Sequence, residues 1–156
     1  MDARFEKDVA ALNKIVNDTR SLILECEVSG QAICELSKTI LDVLERLSQA
    51  SKKSGSVSIL KAELGALSGR GVAQSQNVGQ LKQSTRDTVM LETINLQDIA
   101  GHIQSMKDIH DNYQELKQSL HAITQRMEQT HGACMELGEK LGVDCRSNEL
   151  PHSPSF

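Results

Sequence analysis

The sequence predicts an all-α chain: a long antiparallel helical hairpin or coiled coil that forms a four-helix bundle on dimerisation or within a complex. Three observations carry this expectation. Apolar residues recur in alternating steps of four and three over most of the chain, the spacing of a coiled-coil seam. The two prolines, Pro151 and Pro154, both lie in the last six residues, so no helix breaker interrupts what precedes them. Among 156 residues there are one Tyr, two Phe and no Trp. Aromatic rings supply much of the buried area of compact cores. Without them the area must come from aliphatic side chains spread along helix interfaces.

The first segment carries the clearest pattern. Phe5, Val9, Leu12, Val16, Thr19, Ile23, Cys26, Gly30, Ile33, Ser37, Ile40, Leu44 and Leu47 keep the four–three alternation without a break. Leu22, Leu36, Leu41 and Val43 lie beside this seam and widen it, as in a helix that meets more than one neighbour. The expected helix runs from about 3 to 50, roughly 70 Å at 1.5 Å rise per residue.

Residues 51–56, S-K-K-S-G-S, read as a turn. Val57, Leu60, Leu64 and Leu67 then keep helical spacing, but Gly65, Gly69, Gly71 and Gly79 follow closely. Each glycine costs up to about 1 kcal/mol in a helix interior. The expectation is a short helix at about 57–68 and an irregular, glycine-rich segment to about 79. A last helix is expected over about 80–141, ending at Gly142 as the residue after the C-cap. Its seam reads Leu96, Ile99, Ile103, Met106, His110 and Tyr113. After a three-residue slip it resumes as Leu116, Leu120, Ile123, Met127, Thr130, Cys134, Leu137 and Leu141. Residues 1–142 make a single helical domain on this reading, and the polar stretch 143–156 is expected to be a disordered tail.

Composition narrows the function. The formal charge is −4 with acids and bases interspersed, so no basic stripe is available for phosphates and nucleic acid is not expected as a partner. No apolar run approaches the ~18 residues of a membrane span, and the start M-D-A-R-F-E-K-D lacks a signal-peptide apolar region. A cytoplasmic protein is expected. Cys26 and Cys34 are eight residues apart on one predicted helix, about 12 Å, too far to bridge. With Cys134 and Cys145 they read as free thiols of a reducing compartment. His131, Cys134 and Cys145 hold no C-x-x-C pair, so no metal site is expected.

One short run carries chemistry. Asn95, Asp98, His102 and Ser105 recur at steps of three and four, and an Asp/His pair at i,i+4 can hold an imidazole in one tautomer. The stretch L-Q-D-I-A-G-H-I over 96–103 resembles the helix motif of the bacterial chemotaxis phosphatase family (CheZ), whose pattern is roughly aromatic-Q-D-hydrophobic-T-G-Q. Members of that family are long helical hairpins that dimerise into four-helix bundles. The resemblance implies that Asp98 would engage a lysine of a phosphorylated response-regulator receiver domain. Gln97 would stand beside it, and His102, in the place of the family's amide, would orient the attacking water. Any Mg²⁺ would belong to the receiver partner, and no cofactor of the chain's own is implied. The resemblance covers about a dozen residues, with Leu96 at the aromatic position and Ala100 at the threonine.

The leading expectation is a non-enzymatic helical interaction or scaffold subunit of a cytosolic assembly, joining itself or other helical proteins. Its interaction seam would be Leu12, Val16, Ile23, Ile33, Ile40 and Leu44 on the first helix, with Ile99, Ile103, Met106, Leu116, Leu120, Ile123 and Met127 on the last. The alternative is a receiver-domain phosphatase using Asp98, His102 and Gln97.

Overall fold

The computed structural model describes residues 3–50, 55–89 and 99–145. They form three helices: α1 (Ala3–Ala50), α2 (Gly55–Val89) and α3 (Ile99–Leu141). The chain is all-α, with no strand among the described residues. No helix there is long and apolar enough to cross a membrane.

Helix α1 matches its expected limits, and its four–three alternation is the reason. Leu12, Val16, Thr19, Ile23, Cys26, Ile33, Ile40, Leu44 and Leu47 are all buried. Of the flanking residues Val43 is buried, Leu22 and Leu36 are half-buried and Leu41 is exposed.

Helix α2 departs from expectation. The segment from Gly69 to Gly79, expected to be irregular, is helical throughout. The physical reason is a second seam running straight through the glycines. Val57, Leu64, Leu67, Gly71, Val78 and Thr85 are buried at steps of seven, three and four. Leu60, Gln74 and Leu81, half-buried, fill the intervening positions. Gly71 is needed there, because a Cβ at that position would come within 2.9 Å of Ile33 Cγ2. Tertiary burial outweighs the local glycine cost, as it does for most helices.

The expected single helix over 80–141 is likewise corrected. Residues 80–89 close α2, and α3 begins at Ile99. The Tyr113 hydroxyl donates to the Val78 carbonyl at 3.3 Å. In a continuous helix from residue 80 onward, the position two residues past Val78 would already lie about 50 Å from Tyr113. The antiparallel hairpin of two helices therefore becomes a set of three. Residues 51–54 of the expected turn, and 146–156 of the expected tail, fall outside the described residues. Gly55 and Ser56, the rest of that turn, open α2.

Two compact units divide the chain. In the first, Met1–Gly30 and Val72–His121, the N-terminal part of α1 runs antiparallel to the end of α2 and alongside the start of α3. Lys82 Nζ meets Glu27 Oε2 at 3.0 Å, Lys117 Nζ meets Glu25 Oε2 at 3.0 Å, and Gln74 Nε2 donates to Ser119 Oγ at 2.7 Å. Tyr113 and Met106 lie fully buried in its core. Buried Thr19 and Thr85 each donate to the carbonyl four residues earlier, at 2.7 and 2.9 Å, so neither hydroxyl is orphaned.

The second unit holds Gln31–Gly71 and Ala122–Phe156. Its core is aliphatic: Ile40, Val43, Leu44 and Leu47 from α1, Val57, Leu64 and Leu67 from α2, Ile123 and Met127 from α3. Ser37 and Ser68 hydroxyls bond at 2.6 Å across α1 and α2. Helix α3 ends as expected. Gly142 has φ 70°, its N–H donates to the Glu139 carbonyl at 3.2 Å, and the Val143 N–H donates to the Gly138 carbonyl at 2.8 Å. Those two bonds are the Schellman closure, which needs a left-handed residue that glycine supplies without strain. The chain then turns back, so that Cys145, expected in a disordered tail, is buried. Its Sγ sits 2.5 Å from where a Cβ on Gly138 would be.

Candidate functional site

The polar run that drew attention in the sequence is reached only at its end. Leu96, Gln97 and Asp98 lie outside the described residues. His102 stands in the first turn of α3, half-buried. It is flanked by Gly101, around which a Cβ would find open space. Ile99 and Met106 are buried on either side, and His102 and Ile103, both half-buried, share the interval between them.

The seam on α3 differs in one respect from the predicted one. Ile109 is buried and His110 only half-buried, so Ile109 takes the core position assigned to His110. With Ile109 in place, Met106, Ile109, Tyr113, Leu116, Leu120, Ile123 and Met127 keep an unbroken three–four alternation. The three-residue slip after Tyr113 disappears, and the doubled three-residue step falls instead at Ile103, Met106 and Ile109, where His102 and Ile103 are both half-buried.

The thirteen predicted interaction residues are brought together, but inside the chain. Leu12, Val16, Ile23, Ile33, Ile40, Leu44, Ile99, Met106, Leu116, Leu120, Ile123 and Met127 are buried, and Ile103 is half-buried. What covers them is the chain's own α2, expected to be a short helix at about 57–68 and found to span Gly55–Val89.

Three of the four thiols, Cys26, Cys134 and Cys145, are buried and placed for packing rather than chemistry, while Cys34 is exposed. Burial pushes the Cys134 thiol up to about 11, with the neighbouring Cys145 adding to the effect. Burial likewise raises Cys26 and Cys145. A thiol held protonated is a poor nucleophile. Burial, followed by the charge of Cys26, pushes the Tyr113 phenol up to about 12. No group of three or more His, Cys, Asp or Glu among the described residues could hold a metal ion.

What remains is the surface, and three grooves among the described residues of the first unit differ in chemistry. Between α2 and α3 a groove of about 520 Å³ is lined by amides and hydroxyls, including Gln74, Asn77, Asn112 and Ser119. Gln74 bridges it to Ser119, and Asn77 in turn donates to Gln74 Oε1 at 2.9 Å. Between α1 and α3 a groove of about 580 Å³ carries Leu22, Lys117 and His121. Between α1 and α2 lies a groove of about 450 Å³ with Ile23 and Leu24 on one wall and Lys82, Thr85 and Arg86 on the other, Arg20 and Glu27 completing it.

The third groove combines apolar and cationic groups. Leu24 and, one turn on, Val28 are 64% and 70% exposed. Lys82 is paired with Glu27. Arg20 and Arg86 meet no carboxylate within salt-bridge distance among the described residues. Ile59 and Val72 on α2 are exposed to a similar degree. These outer aliphatics escape a reading based on seams, because they stand off the four–three alternation. The signal that finds them is the residue itself: a Leu or Val on a helix face that packing does not use. No protein-family model, curated protein or solved structure matches the chain.

Proposed function

We propose that the protein is a helical interaction subunit that meets its partners through the outer faces of α1 and α2. The observation that supports this reading is the set of unpacked aliphatics Leu24, Val28, Ile59 and Val72, each between 60% and 70% exposed. Scattered apolar residues on a protein surface need no explanation. Here, however, three short-range choices agree. The apolar seam of every helix is already filled from within the chain, so these four side chains add nothing to its core. Leu24 and Val28 stand one turn apart on the same face. Leu24 also lines a groove large enough for several incoming side chains.

The reading differs from the seam-based expectation in where partners dock. The seam positions other than Ile103 are already buried within the chain, so this reading assigns partners to the surfaces that the packing leaves outside.

The test is residue-resolved crosslinking in the cell of origin. A photo-activatable side chain is placed in turn at Leu24, Val28, Ile59 and Val72, and at the water-facing controls Asn13 and Gln125. The expected result is a discrete protein adduct from some or all of the four and none from the controls. Adducts absent from all four, or equal at the controls, would overturn the reading.

A further inference from the structure

We propose that the groove between α1 and α2 in the first unit binds an acidic amphipathic helix of a partner protein. The proposal rests on the interaction reading above and names the partner's chemistry. The floor and apolar wall are Ile23 and Leu24, extended one turn by Val28, and the polar rim is Arg20, Lys82 and Arg86. Against these three cations stands one acid, Glu27, already engaged by Lys82 at 3.0 Å. The groove is thus net positive on a chain whose formal charge is −4.

That pairing of features selects the occupant. A helix laid in a groove presents anchors at i, i+3, i+4 and i+7, and Arg20, Leu24 and Val28 repeat every four residues along α1 to meet them. Acidic side chains flanking such anchors would reach the Arg20 and Arg86 guanidiniums, whose planar forks suit carboxylates. A partner with basic flanks would face like charge. A lipid surface fits less well, because headgroup recognition uses clusters of about four to eight basic residues, and the groove offers three, one of them paired.

The experiment uses the full chain and two synthetic helical peptides of one Leu pattern, one flanked by Glu and the other by Lys. Binding is followed by fluorescence anisotropy. The expected result is saturable binding of the Glu peptide, weakening as salt rises. The Lys peptide, and the variants Arg86→Glu and Leu24→Asn with the Glu peptide, should each bind at least about tenfold more weakly. Both positions are exposed, and unchanged circular dichroism verifies that the variants fold. Equal binding of the two peptides, no binding, or variants that bind like the wild type would overturn the proposal. So would uptake on phosphatidylserine vesicles that Arg86→Glu abolishes, which would assign the groove to lipid. A wild-type dimer that Arg86→Glu dissociates would assign it to a second copy. If the peptides fail while Ile59 and Val72 still form crosslinks, the groove proposal falls and the interaction reading stands.

Discussion

Gly71 and Gly65 are the same residue in the same helix, yet the structure gives them opposite meanings. A Cβ at Gly71 would lie 2.9 Å from Ile33 Cγ2, and Ile33 is buried with a branched, stiff side chain. Around Gly65, Gly69 and Gly79 a Cβ would meet nothing within 4 Å. Gly71→Ala should therefore destabilise the protein, the overpacking of about 1–3 kcal/mol outweighing the helix-propensity gain of up to about 1 kcal/mol. Gly65→Ala keeps only the gain and should stabilise by about 0.5–1 kcal/mol. Urea melts of the two variants decide it: shifts of the same sign would contradict the packing of α2 on α1. None of this was legible in the sequence, where four glycines in fifteen residues looked like a uniform weakness. The distinction is a matter of which side of the helix each one occupies.

At the scale of elements, legibility followed the strength of the local pattern. Helix α1 could be read residue by residue, because its apolar positions alone define a face. The C-terminus of α3 could be read too, since Gly142 is where a left-handed residue closes the helix. Helix α2 could not, because its seam passes through Gly71 and Gln74, residues that carry no apolar signal. Helix α3 was read with its register displaced between Met106 and Tyr113, where Ile109 and His110 compete for one core position. Hydropathy did not settle that competition, and burial does: Ile109 is 8% exposed. Ile109→Ala should cost about 2–4 kcal/mol, and His110→Ala less than about 1 kcal/mol. Chemical denaturation of the two variants distinguishes the registers, and the reverse order would restore the slip.

For the whole chain, the decisive change is from two helices that need a second chain to three that cover one another within each unit. An ionised carboxylate at a fully buried, apolar seam position is costly, because it leaves water for an apolar surrounding. Leu120→Glu should therefore unfold the helices of a single chain. Circular dichroism and sedimentation, measured together, test this: helicity should fall. A variant that halves in mass with its helicity intact would show that the seam joins chains. By itself the sequence determined the all-α class, the limits of α1, the cap at Gly142 and almost every core position on α1 and α3. Those are properties of spacing and backbone freedom, which are local and periodic. Only the tertiary structure decided that the glycine-rich stretch is a full helix, that residues 80–141 do not form one rod, and that the outward residues are Leu24, Val28, Ile59 and Val72. Each of those depends on what area a neighbouring helix covers. That is a sum over contacts distant in sequence, and no local propensity contains it.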